Sequence, residues 1–166
     1  MEDQDYSEIL HGVPKTDYGD CHASHIIEVY KMYVEMADQI SSRRQSTNSF
    51  FLTLNTGVFT FIGYMMLNLK AGAGSSLLVM ACFIGASLGY LWYRIIKSYR
   101  GLNSAKFDVI HHIETYLPLR PYTSEWVRLE KGKNPAIYSP FTKIEKSVPW
   151  VFIAAYALVA AYLLVV

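Results

Sequence analysis

Polar side chains that could line a water-filled path recur inside an apolar stretch of the chain. Thr53, Thr56 and Thr60 lie on one helical face at spacings of three and four residues, and Asn55 lies to the side of them. Polar groups within hydrocarbon need hydrogen-bond partners. Two interpretations stay open. The face lines a central channel of an oligomer, or each hydroxyl bonds the carbonyl four residues earlier and Asn55 links two helices.

Small residues recur at every fourth position in the next apolar stretch, at Ala81, Gly85 and Gly89. Such a strip lets two helix backbones approach closely where lipid supplies no hydrophobic drive for association. We expect the strip to pack this helix on the preceding span of the same subunit. Contact between subunits is the alternative.

Basic residues border these stretches. Arg43 and Arg44 precede the first of them, and Arg94, Lys97 and Arg100 follow the second. Their expected role is to snorkel to the membrane border and to set orientation. For Arg43 and Arg44 the alternative is a ring of guanidinium groups, multiplied by symmetry, that attracts anions or acidic lipid headgroups.

His111 and His112 are adjacent to one another but lack the spacing of a zinc site. We therefore expect no metal and no cofactor. An imidazole titrates near neutral pH, so a pH response that several subunits add together is a further hypothesis for this pair.

Motifs for catalysis are missing from the sequence. It contains no phosphate-binding glycine loop of the G-x-x-x-x-G-K-S/T type and no G-x-S-x-G elbow, and no Ser/His/Asp set is evident. We expect a protein that is not an enzyme. The near-neutral net charge of +1 gives no reason to expect nucleic acid as a partner.

Three uncharged runs must form the elements that position these residues. Asp, Glu, Lys and Arg are missing from 45–69, 71–93 and 147–166. Each run supplies the roughly 20 residues that an α-helix needs to cross about 30 Å of hydrocarbon. The sequence therefore predicts an all-α membrane protein with three transmembrane helices. The predicted spans are 50–69, 77–96 and 148–166.

The remaining segments flank these spans. Residues 1–23 read as an acidic, flexible tail, and 24–49 as an amphipathic helix that continues into the first span. Residues 97–147 read as a helical extension of the second span followed by a proline-rich connector. A short turn at 70–76 makes the first two spans a hairpin, and both spans extend into the cytoplasm.

Orientation follows from the distribution of basic residues. Under the hairpin arrangement eight cations belong to one side and Lys70 alone to the other, which predicts a cytoplasmic N-terminus and a periplasmic C-terminus. The eight are Arg43, Arg44, Arg94, Lys97, Arg100, Lys106, Lys143 and Lys146.

Three blocks of the sequence carry a family resemblance. They are 30–45 with 48–51, 91–100 with 102–107, and 138–142 with 148–150. Over about residues 24–166 the chain resembles the RipA-like family of small octameric membrane proteins. The resemblance implies a multi-pass protein of the bacterial inner membrane that forms a homo-octamer and has no known enzymatic activity. The chain is also similar, over fewer features, to two-span effectors of bacterial defence systems that damage membranes.

Together these expectations favour a homo-oligomer that contacts membrane lipids and forms a pore or a membrane-perturbing assembly around a symmetry axis. The alternative is a non-conducting scaffold whose cytoplasmic helices bind a partner protein.

Overall fold

Helices make up the regular structure of the chain. The computed structural model describes residues 9–10, 12–13, 15–68, 75–138 and 141–165, and no strand occurs among them. In chain order the helices are α1 (Lys15–Tyr18), α2 (His22–Asn68), α3 (Ser75–Glu114), α4 (Pro121–Arg128), a 3-10 turn (Glu130–Gly132) and α5 (Phe141–Val165). The predicted all-α class is confirmed.

The amphipathic segment and the first span form one rod. No proline interrupts helix α2, which runs without a break over 47 residues. At 1.5 Å per residue it is about 70 Å long. Helix α3 has 40 residues and packs along α2, so the two form a hairpin-like pair. The predicted turn at 70–76 lies largely outside the described residues, as do residues 1–8 of the predicted acidic tail.

Within the described part of the chain, three helices are long and apolar enough to cross a membrane, namely α2, α3 and the part of α5 from Ile144 to Val165. Their outer faces expose large apolar side chains such as Phe83 and Leu158, as expected for contact with lipid. The ends of α2 and α3 continue past the apolar segments by about 30 to 40 Å.

Helix α3 is the central element, because it packs against both α2 and α5. One cluster of buried side chains joins all three helices through Ile62, Leu78, Cys82 and Tyr156. A second cluster lies nearer the polar end of the spans and joins Phe51 to Trp92 and Ile96. The rings of Phe51 and Trp92 stack there with centroids 6.0 Å apart. These contacts hold the three spans in one bundle.

The last helix begins earlier than the sequence predicts. Helix α5 starts at Phe141, so the predicted connector 97–147 ends sooner and Pro149 lies inside a helix. A proline inside a helix removes one backbone hydrogen bond and costs about 3 kcal/mol. Packing offsets this cost, because Pro149 is buried and Val148 packs on the cluster around Trp92.

Candidate functional site

The threonine face of α2 is available for contacts outside the subunit. Thr53, Thr56 and Thr60 are exposed, and open space surrounds the neighbouring Gly57. In the part of the chain that the structure describes, these three hydroxyls form no hydrogen bond. Thr47, in contrast, donates to the carbonyl of Arg43 at 2.8 Å. Three uncommitted hydroxyls therefore lie along one exposed helix.

Asn55 belongs to the packing between helices. Its side chain is fully buried, and its Nδ2 donates to the carbonyl of Phe51 at 2.9 Å. The hydroxyl of Tyr156 donates to the Asn55 backbone oxygen at 2.9 Å and lies 3.4 Å from Oδ1. Asn55 thus joins α2 to α5 and does not share the exposed face of the threonines.

The glycine strip of α3 packs against α5, so the expectation that it faces the first span was wrong. A Cβ on Gly85 would collide with the ring of Tyr156. A Cβ on Gly89 would lie 2.9 Å from a side-chain carbon of Ile153. Ala81 is half-buried and borders the same cluster. The strip is intramolecular because large side chains of α5 fill the space that the glycines leave.

A polar network joins the three long helices where the spans meet their extensions. The Nε1 of Trp92 donates to Oδ1 of Asn48 at 2.9 Å, and Asn48 Nδ2 donates to Oε1 of Glu145 at 3.0 Å. The Nε of Arg44 lies 3.7 Å from the same carboxylate oxygen. Glu145 is only 9% exposed, so this carboxylate depends on these partners. Sequence patterns did not predict this network, because Glu145 lies among the residues assigned to a connector.

The other border cations are exposed. They are Arg43, Arg94, Lys97 and Arg100, and no ion pair to them occurs among the described residues. Arg44 is the exception, with a side chain 20% exposed and directed at Glu145.

A second buried carboxylate holds the extension together. Glu114 is fully buried at the end of α3, and its Oε1 accepts hydrogen bonds from the Tyr30 hydroxyl at 3.0 Å and the Tyr122 amide at 2.8 Å. Its Oε2 accepts from the amide and the hydroxyl of Thr123, at 2.8 and 2.6 Å. Burial raises the pKa of Glu114, but the hydrogen bonds from Thr123, Tyr122 and Tyr30 outweigh it and leave the pKa below its ordinary value.

The two histidines have different surroundings. His111 Nδ1 lies 3.1 Å from the Thr123 hydroxyl and 3.9 Å from Glu114, so it borders that carboxylate. The ring of His112 instead packs edge-on against the ring of Tyr116, with the two ring centroids 5.6 Å apart. Among the described residues, no group of three or more His, Cys, Asp or Glu side chains is placed to hold a metal ion.

The family of the chain follows from its similarity to known proteins. No curated protein and no solved structure matches the chain. A family model described as "Octameric membrane protein family (8xMP)" matches residues 27–165, which include nearly all of α2 and the whole of α3, α4 and α5. The expected likeness to small octameric membrane proteins is therefore confirmed, and the chain belongs to the octameric membrane protein family.

Proposed function

We propose that eight copies of the chain form a ring in which α2 of each subunit faces the axis and lines a polar path across the membrane. The observation that carries the proposal is the exposed threonine face. The hydroxyls of Thr53, Thr56 and Thr60 have no hydrogen-bond partner among the described residues, and in a ring each position becomes a circle of hydrogen-bonding groups. Water or ions on the axis would supply the partners.

The other two spans are less suited to the axis. The small-residue strip of α3 is covered by the side chains of Tyr156 and Ile153, which pack on it from α5. Helix α5 exposes mainly apolar side chains, such as Val151, Leu158 and Leu164, which are suited to lipid. Among the described residues, helix α2 is therefore the span that presents a continuous face of polar groups left to satisfy.

We place the assembly in a bacterial inner membrane, with the N-terminus and the helical extension in the cytoplasm and the C-terminus in the periplasm. Support comes from the border cations, because Arg43, Arg44, Arg94, Lys97 and Arg100 all lie at the end of the spans that carries the extension. The proposed role is not enzymatic.

Flux measurement tests the pore. The purified protein, reconstituted in liposomes, should release small ions, and the triple change Thr53→Val, Thr56→Val and Thr60→Val should reduce the rate by about tenfold or more, because valine keeps the shape and removes the hydroxyl. Ser87→Ala is the matched control, since Ser87 is exposed on α3 but already bonds the Phe83 carbonyl. A wild-type protein without flux, or a valine variant with unchanged flux, would contradict the proposal.

A non-conducting scaffold is the second candidate. Ile27, Val29 and Met32 are exposed on the extension of α2, where a partner protein could bind them. A scaffold should tolerate leucine at the three threonine positions and lose function on Met32→Glu. A pore should lose function with leucine at the three threonine positions and should tolerate Met32→Glu.

A further inference from the structure

A cleft of about 440 Å³ lies beside the helical extension, between α3 and the segment that runs from α4 to Tyr138. This volume is within the range of small-molecule sites. Four aromatic side chains contribute to its wall, from α3, α4 and the segment after it. They are Phe107, Tyr122, Trp126 and Tyr138. Such a wall offers flat, apolar surface on which a planar ring can pack.

The polar groups of the cleft are of two kinds. Arg44 and Arg100 supply guanidinium groups, which pair with phosphate or carboxylate. Asp108 and Glu125 supply carboxylates, which accept hydrogen bonds from N–H groups. A simple anion would use the arginines and leave the carboxylates and the rings without a role.

Asn103 has an acceptor atom that a ligand in the cleft could pair. It lines the cleft, and its Oδ1 is buried without a hydrogen-bond partner. An acceptor left unpaired away from water costs free energy. Rotation of the amide would present Oδ1 to the cleft, where an N–H donor of a ligand could pair with it.

We propose that this cleft binds a small molecule that joins an anionic group to a planar ring with N–H donors, of which a nucleoside monophosphate with an aminated base is the simplest example. The anionic group engages Arg44 and Arg100. The ring packs on the aromatic wall, and its N–H donors reach Asn103 and the carboxylates. The site does not depend on whether the assembly conducts.

Arg44 connects this site to the membrane spans. The same side chain lines the cleft and lies 3.7 Å from Glu145 of α5. A ligand anion would compete with Glu145 for the guanidinium group. Binding in the cleft therefore weakens the one ion pair that joins α2 to α5 in the described chain.

Calorimetric titration of the full-length protein in detergent tests the site, with AMP, GMP and CMP as probes. We expect saturable binding of at least one of them, with one site per subunit. The nucleoside without its phosphate, and ribose 5-phosphate without the base, should each bind about tenfold more weakly or worse, because each lacks one half of the contacts.

Variants locate the binding. Arg100→Gln should weaken nucleotide binding by about tenfold, whereas Lys97→Gln, an exposed cation on the same helix outside the cleft, should leave it unchanged. Trp126→Leu should weaken binding of the nucleotide but not of ribose 5-phosphate. Arg100 and Trp126 are both exposed, and gel filtration checks that each variant keeps its assembly.

Three results would overturn the proposal. The first is no saturable binding of any of the three nucleotides up to millimolar concentration. The second is equal binding of ribose 5-phosphate and nucleotide, which would leave the aromatic wall without a role. The third is an equal loss of affinity in Arg100→Gln and Lys97→Gln, which would point to a general charge effect.

Discussion

Tyr156 is the residue on which packing of the spans converges. It is fully buried, its hydroxyl donates to the backbone of Asn55, and its ring lies against Gly85. The hydroxyl would be costly in an apolar interior without that acceptor. Gly85 leaves the space that the ring occupies. One side chain thus connects α5 to both other spans.

Gly85→Ala should destabilise the protein. The added Cβ has no room beside the Tyr156 ring, and overpacking of this kind costs about 1 to 3 kcal/mol. Thermal unfolding in one detergent provides the measurement. Gly101→Ala is the control, since nothing lies within 4 Å of its added Cβ and the change should stabilise the helix by about 1 kcal/mol. Equal melting temperatures for Gly85→Ala and the wild type would contradict the packing described for Tyr156.

At the scale of elements, Glu114 joins three helices. It lies at the end of α3, accepts hydrogen bonds from the first turn of α4, and is bonded by Tyr30 of α2. A carboxylate at a helix N-terminus also interacts favourably with the helix dipole. The extension of the hairpin and the short helix α4 are therefore held by one buried acid.

This arrangement predicts loss of stability in acid. The pKa of Glu114 is lowered by folding, so its contribution is fully present above the ordinary value of 4.5 and is lost as the pH falls through the lower pKa of the folded protein. Protection factors of the amides in α4, measured by hydrogen exchange from pH 7 to pH 4 and below, should fall at the acidic end. The loss should be specific to that region.

Glu114→Gln supplies the decisive comparison. At pH 7 it should reduce protection of α4 by about 1 to 3 kcal/mol, since one donor loses its acceptor, and it should remove most of the acid dependence. Glu28→Gln, which changes an exposed carboxylate on α2, should alter neither. An acid transition that persists unchanged in Glu114→Gln would show that another group is responsible.

The elements differ in how far their sequences predicted them. The long rod of α2 followed from the lack of proline in 24–69, and the spans followed from uncharged runs of sufficient length. The start of α5 did not follow, because Pro149 favours a helix beginning, whereas the turns before it are supported by contacts of Glu145 and Val148 with the other two long helices. The pattern of residues within a segment predicts its own secondary structure, whereas the contacts that extend α5 are made by residues far away along the chain.

The candidate site was also only partly predictable from the sequence. Spacing alone identified the threonine face and the glycine strip, but a strip of small residues does not specify which neighbouring helix packs on it. Glu114 and Glu145 resembled ordinary surface charges in the sequence. Their burial depends on Tyr30 and Asn48, which are 84 and 97 residues away along the chain.

At the scale of the whole molecule, the proposed topology can be tested with a native cysteine. Cys21 is exposed and free at the start of α2, whereas Cys82 is buried within a span. A membrane-impermeant maleimide should label Cys21 in inverted inner-membrane vesicles and should not label it in intact spheroplasts. Cys21→Ser should abolish labelling. Labelling from the periplasmic face would reverse the proposed orientation.

The octameric family and the exposed face of α2 support the proposed arrangement of the assembly. Eight copies around an axis require each subunit to turn one face inward. The face with uncommitted hydroxyls is suited to a hydrated axis, and the apolar outer faces of α3 and α5 are suited to lipid.

Electron cryo-microscopy of the assembly in lipid nanodiscs tests this arrangement most directly. We expect eight subunits around an axis that contains ordered water or open solvent, with Thr53, Thr56 and Thr60 facing it. An axis filled by lipid or by apolar side chains, with these threonines turned toward the surrounding membrane, would contradict it.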